Sequence, residues 1–254
     1  MLDKIIEAVK KAVEIYKNAG DDLDISKKTS NVNLVTKYDK MIQKFLIDEL
    51  GKITPGASFF CEEGDDNKQL TDGYCYIIDP IDGTMNFIKG FQHSAISVGL
   101  AKDKELIIGV VADPDKNNLY YAEKGKGSYL NGKRINVSDC GLAESLVMFG
   151  TCPYEHELAH KTFELTEKVF NKALEVRRSG SAALDICYVA SGKADLYYEM
   201  IIRPWDWARA SVILHEAGGV FSKIDSSPID LSKTDSYLCG NINNIKEFNE
   251  IYNS

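Results

Sequence analysis

Paired cysteines are missing from the sequence: Cys61, Cys75, Cys140, Cys152, Cys187 and Cys239 stand singly among 254 residues, with no C-x-x-C pair. That spacing suggests neither a zinc ribbon nor a disulfide framework, and reduced, buried thiols in a cytosolic protein are the expectation. No apolar run approaches the roughly 20 residues that span a bilayer. The opening stretch MLDKIIEAVKKAVEIYKNAG mixes charged with apolar residues and lacks the continuous apolar core and small-residue cleavage site of a signal peptide. A cytoplasmic location without a membrane partner is therefore expected. Positive charge is not in excess either. Thirty Lys and Arg against 38 Asp and Glu leave a formal charge of −8, which argues against a broad nucleic-acid surface and leaves room only for a local patch. Internal repeats, low-complexity tracts and long linkers are absent.

What is present is an ordinary 44% apolar composition, in a chain long enough for one large or two modest domains. Leu2, Ile5, Ile6, Val9, Val13 and Tyr16 recur at helical spacing and predict an amphipathic helix stopped by Gly20. The polar stretch GDDLDISKKTSNVN is a candidate mobile loop before a second helix, about 36–50, ended by Gly51. Strand-like runs at 58–61, 73–79, 95–101, 106–112 and 119–122 are spaced like an antiparallel sheet. Asn131-Gly132 within YLNGKRINV is a strong hairpin signal, because both turn positions need positive φ. The second half changes rhythm: helical patterns at 155–171, 181–192, 205–217 and 243–253 alternate with short strands near 174–178, 195–200, 219–223 and 236–240, an α/β arrangement. The expectation is one compact unit, 1–254, with an N-terminal half (1–142) and a C-terminal α/β half (143–254).

In YIIDPIDGTMNF, residues 76–87, an apolar strand delivers Asp79 at its carboxyl end, where α/β proteins commonly assemble ligand sites. Asp79 and Asp82 converge only if the chain reverses between them, and carboxylates that close repel unless a cation intervenes. A hard divalent ion such as magnesium is the natural resident. Gly83 permits close backbone approach, and Thr84 heads a helix whose first N–H groups could meet an anion. Metal beside a helix N-terminus suggests phosphate. The D-x-x-D-G spacing does not match an EF-hand; a Pro-Gly turn with solvated aspartates is the plain alternative. FFCEEGD adds Glu62 and Glu63 just after a strand. RPWDWARASVILHEAGG adds Asp206 at a helix start, with Ala210, Ile213 and Leu214 as the apolar stripe; alone, Asp206 would read as a cap.

Together these segments resemble the inositol monophosphatase family of lithium-sensitive, magnesium-dependent phosphatases. The resemblance rests on CEE at 61–63, DPIDGTMNF at 79–87, and WDWARA with EAGG across 205–219, supported by LVTKYD at 34–39, YLNGKRI at 129–135, GSAALDIC at 180–187 and YYEM at 197–200. It implies an α/β layered fold, an αβαβα sandwich with two sheets between helix layers. It also implies two or three Mg2+ ions per site: one held by Glu62, Asp79 and the Ile81 carbonyl, a second by Asp79, Asp82 and Asp206. Two such ions, roughly 3.5–4 Å apart, can clamp the attacking and leaving oxygens of an in-line displacement. By the same resemblance Glu62 and Thr84 orient and deprotonate water, Asp82 counts with them as catalytic, and the Gly83 and Thr84 amides hold phosphate oxygens without a covalent intermediate. Gly180, Ser181, Ala182, Glu199 and Asp206 contact the leaving group. Glu199 read by itself is an acid ending an apolar strand, for which a salt bridge competes. Arg203 could attract a second substrate phosphate or pair with a surface acid, and the pair is favoured. Lys28, Asp39 and Glu63 are accessory positions near a weaker third metal. Departures from the family pattern are Met85 for Thr, Cys61 for Gly and Asn33 for Asp. The implied reaction is hydrolysis of a small phosphate monoester, inositol monophosphate first. Fructose 1,6-bisphosphate, adenosine 3′,5′-bisphosphate and histidinol phosphate are alternatives on the same core. A homodimer is implied as well.

Two rivals remain. HELAH, 156–160, matches the H-E-x-x-H zinc protease pattern, but no third ligand follows, and the segment reads as a surface helix with Leu158, Phe163 and Phe170 facing the core. His93 and His215 read as packed or solvated, and Trp205 and Trp207 as core anchors. Bacterial relatives that act in transcription antitermination make a non-enzymatic partner role the second rival.

Overall fold

The computed structural model describes residues 1–27, 34–63, 70–153, 155–227, 229–230 and 233–254. Lys28 and Asn33 lie outside them. Helix α1 (Leu2–Lys17) buries Ile5, Ile6, Ala8, Val9, Ala12 and Tyr16 along one face. It closes on Asn18, whose N–H donates to the Glu14 carbonyl, so Gly20 is not its stop. Instead the Gly20 N–H donates to the Tyr38 hydroxyl. Short strands β1 (Ser26–Lys27) and β2 (Leu34–Val35) pair antiparallel. Helix α2 (Lys37–Ile53) starts at Thr36, which forms a reciprocal capping box with Asp39. It runs past Gly51 to Ile53 and is capped by Thr54, which has left the helical region at ψ 81° just before Pro55, whose ring disfavours a helical predecessor.

Among the described residues seven strands form the first sheet in sequential order: β3 (Ser58–Cys61), β4 (Tyr74–Asp82), β5 (Ala95–Lys102), β6 (Glu105–Asp113), β7 (Asn118–Glu123), β8 (Ser128–Leu130) and β9 (Lys133–Ile135). All pairs are antiparallel except β3 with β4, the one departure from the expected pattern. Helix α3 (Thr84–Ile88) follows β4. The hairpin signal holds, with Asn131 at φ 48° and Gly132 at φ 81° between β8 and β9. Alternation along β4 sends Tyr76 and Ile78 toward α1 and α2, and Cys75 and Ile77 toward the other face.

The second sheet begins with β10 (Leu146–Phe149), a strand the sequence reading did not include. Next come η-turn residues 156–158 and helix α4 (Ala159–Phe170), then β11 (Glu175–Arg177), α5 (Ala182–Ala190), β12 (Leu196–Ile202), α6 (Pro204–Glu216), β13 (Val220–Lys223), β14 (Asp235–Gly240) and α7 (Ile242–Tyr252). Its order is β11-β10-β12-β14-β13, parallel on the β11 side and antiparallel beyond β12. Helices α5 and α6 share one apolar cluster with both sheets, whereas α4 and α7 cover the outer face of the second sheet with Leu165, Val169, Ile245 and Phe248. The layers are therefore α1α2, sheet, α5α6, sheet, α4α7: the αβαβα sandwich. Helix α4 corrects one expectation. Its buried face is Thr162, Leu165, Thr166 and Val169, spaced i, i+3, i+4 and i+7, while Phe163 and Phe170 are 57% and 50% exposed.

Candidate active site

Asp79 and Asp82 meet without any reversal of the chain, contrary to the sequence expectation. Strand β4 continues through Pro80 and Ile81, but pairs Asp79 with Ser97 and Asp82 with Ala95, three steps against two on β5. This bulge cancels the alternation that would send residues three apart to opposite faces. Asp206 arrives from α6, and oxygens of Asp79, Asp82 and Asp206 all lie within 4.8 Å of one another. Among the described residues no other group of three acidic, His or Cys side chains is so gathered.

Each carboxyl has a distinct support. Asp82 Oδ2 accepts from the Ser181 hydroxyl at 2.5 Å and the Ala183 N–H at 2.8 Å, at the start of α5. Burial pushes its pKa up to about 6 despite those bonds. Asp206 Oδ2 accepts from the Arg203 N–H at 3.0 Å, so the capping role is real but leaves the other oxygen for the cavity. Burial and then repulsion from Glu62 and Asp82 push its pKa up to about 7. Asp79 is fully buried; Oδ2 accepts from Arg209 at 3.3 Å and Oδ1 has no partner among the described residues. Burial, followed by the Glu62 charge, raises its pKa well above the usual range.

A cavity of about 260 Å³ is lined by Glu62, Asp79, Ile81, Asp82, Gly83, Thr84, Gly180, Ser181, Ala182, Glu199, Arg203 and Asp206, so most sequence-chosen positions converge there. Glu62 is set by its N–H, which donates to the Ile78 carbonyl at 3.1 Å. The Thr84 hydroxyl shares its proton between the Ile81 carbonyl at 3.0 Å and Asp39 Oδ1 at 3.3 Å. Asp39 does not line the cavity; its Oδ2 accepts from Thr36 N–H and hydroxyl at 2.8 and 2.6 Å. Glu63 also stands outside the lining, with its backbone clamped by the Gln43 amide at 3.0 and 2.7 Å. Gly83 has φ 85°, and a Cβ there would meet the Gly180 and His93 carbonyls at 3.1 Å each. The first-turn amides of α3 have no acceptor within their own helix.

Glu199 does not end its strand, since β12 continues to Ile202, and its side-chain bond goes to the Tyr197 hydroxyl at 2.5 Å rather than to a cation. A Cβ at Gly150 would lie 2.1 Å from that carboxyl, and burial pushes the Glu199 pKa up to about 8. The Arg203 guanidinium stands over the Trp205 ring at 5.7 Å. Sequence reasoning missed Tyr197, Gly150, Arg178 and Arg209. For Arg209 a signal was available, a lone cation in the buried helix WDWARA, three residues after Asp206.

The rival residues lie elsewhere. His160 is exposed and within 4.0 Å of Glu164, and HELAH belongs to no ligand group among the described residues. His93 is buried edge-on to Tyr188, His215 is exposed, and Trp207 stacks on Phe221. No helix among the described residues is long and apolar enough to cross a membrane.

Comparison with known proteins places this geometry. A model of the inositol monophosphatase family matches residues 1–252. Human inositol monophosphatase 1 is 36% identical over 246 residues, 91% of this chain and 88% of that protein. Nus factor SuhB of Escherichia coli K12 is 35% identical over 226 residues, covering 87% of this chain and 84% of its own. The solved Thermotoga maritima IMPase superposes with a TM-score of 0.89 at 30% identity, covering 99% of this chain and 96% of that one. On the motifs, the layered fold and these likenesses together, the chain belongs to the inositol monophosphatase family.

Proposed function

We propose that this cavity hydrolyses a small phosphate monoester, inositol monophosphate first, with two or three Mg2+ ions and no covalent intermediate. The observation that carries the reading is the gathering of Asp79, Asp82 and Asp206 in one cavity, their pKa values raised by burial and by neighbouring acid. Such a set of hard oxygens, including a buried Asp79 Oδ1 to which no described residue donates, suits a divalent cation. Glu62, Asp79 and the Ile81 carbonyl would hold one ion, and Asp79, Asp82 and Asp206 a second. Bound there, Mg2+ supplies charge neutralisation at the phosphoryl oxygens and makes water more acidic.

The protein's own groups do the rest. With its proton committed to Ile81 and Asp39, the Thr84 hydroxyl can accept from an attacking water and orient it. Glu62 lies in the same cavity to take that water's proton. The amides of Gly83 and Thr84 donate to phosphate oxygens. Glu199, fixed by Tyr197, meets hydroxyls of the leaving group near Gly180, Ser181 and Ala182. Lithium inhibition and a homodimer follow the family resemblance, and a cytoplasmic location follows the unpaired cysteines; inhibition assays and sedimentation test the first two.

The test is phosphate release from inositol monophosphate, the two bisphosphates and histidinol phosphate, with and without Mg2+, for wild type and Asp82→Asn. Mg2+-dependent release, strongest on inositol monophosphate and reduced at least about a hundredfold in Asp82→Asn, is expected. Near-normal turnover by Asp82→Asn would exclude the assignment. Likeness to a protein named a Nus factor favours a second reading, as a partner in transcription antitermination. Pull-down with transcription factors, scored against phosphate release, separates the two.

A further inference from the structure

Nothing in phosphate or leaving-group binding accounts for Arg209. It is fully buried on α6, between Ala208 and Ala210, and among the described residues its guanidinium has one partner: Nη2 donates to Asp79 Oδ2 at 3.3 Å. Its Nε and Nη1 have none among the described residues. A buried guanidinium with most of its donors unused is costly, and the helix does not require it, since alanines fill the neighbouring positions. The facing strand is cleared for it: a Cβ at Gly99 would lie 3.0 Å from Arg209 Cγ. The offset is the carboxylate cluster itself, three acids with oxygens within 4.8 Å that repel one another without a cation.

We propose that Arg209 is a resident cation of this cluster: a positioning residue that holds Asp79 from the core side, keeps the pocket assembled without metal, and weakens divalent-ion binding by a positive charge that cannot leave. The inference rests on the metal-site reading above. Arginine suits the role because its planar guanidinium presents fixed donors to carboxylate oxygens.

Calorimetric Mg2+ titration and thermal unfolding, each with and without Mg2+, test it on wild type, Arg209→Met and Arg209→Lys. Arg209→Met should melt below wild type without metal, gain more from Mg2+, and bind Mg2+ at least about tenfold tighter, because a unit charge a few ångström from a divalent ion contributes that much even in high dielectric. Arg209→Lys keeps the charge and should stay within about threefold of the wild-type affinity, losing only the planar fork. A merely structural residue would give the same melting loss with and without Mg2+ and no tighter binding, which would overturn the proposal. If Arg209→Met does not fold without metal, saturating Mg2+ must restore it, and failure to do so also overturns the proposal. Wild type taking up no Mg2+ would remove the metal reading itself, a failure distinct from normal uptake that Arg209→Met leaves unchanged.

Discussion

Tyr197 and Glu199 sit two apart on β12, and the hydroxyl of one fixes the carboxyl of the other at 2.5 Å. The ring of Tyr197 belongs to the core between the sheets, so Tyr197→Phe keeps the packing and removes one donor. Because that donor lowers the Glu199 pKa, its loss should raise the pKa further and leave the carboxyl free to turn. Kinetics of Tyr197→Phe should show KM for a polyol phosphate up by roughly tenfold, the worth of one hydrogen bond to such a group, with p-nitrophenyl phosphate unaffected. Equal losses on both esters would deny Tyr197 its part in leaving-group recognition. The acids were legible in the sequence because DPIDG and WD carry them in short contiguous patterns. Tyr197, Gly150 and Arg209 were not, because their roles depend on partners that only the tertiary structure supplies. Gly150 approaches Glu199 from β10's end across the sheet, and Arg209 reaches Asp79 from 130 residues away.

At the scale of elements, the bulge in β4 and the left-handed residue after it set the site. Gly83 turns the chain out of β4 into α3, with φ 85° and two carbonyls waiting where a Cβ would go. Gly83→Ala should cost about 1–3 kcal/mol in urea unfolding, from the left-handed backbone and the tight contacts, and lower activity by displacing the Thr84 amide. An unchanged unfolding midpoint would mean that the turn tolerates a side chain. Periodicity served well where an element was long and one-sided, as in α1, and where turn chemistry was local, as at Asn131-Gly132. It failed where tertiary burial overrode composition. Two phenylalanines drew the expected face of α4 to the wrong side, and Gly51 looked like a stop although Pro55 determines where α2 ends. The four residues of β10 are too short a run to announce a strand.

For the whole molecule, packing α5 and α6 between two sheets removes Asp79 and Asp82 from water and makes metal-free folding depend on pH. Asp82 and Asp206 titrate near 3.8 when unperturbed and are pushed to about 6 and about 7 in the folded chain. Above about pH 4 the folded protein therefore holds protons that the unfolded chain has released, so the sign is fixed: stability from these groups is full below that pH and is lost as pH rises through 6 and 7. A divalent cation bound as proposed would compete for the same oxygens and bind best when the protons are gone. Thermal unfolding in EDTA should give a melting temperature that falls between pH 5 and pH 8 through these groups, and Mg2+ should raise it more at pH 8 than at pH 5. In Asp206→Asn, which cannot titrate, the EDTA curve should be flatter over the same range and the Mg2+ gain smaller. An EDTA curve that climbs from pH 5 to pH 8, with a Mg2+ gain independent of pH, would mean that these carboxylates are already ionised and separately compensated in the fold, and that no cation is needed to gather them.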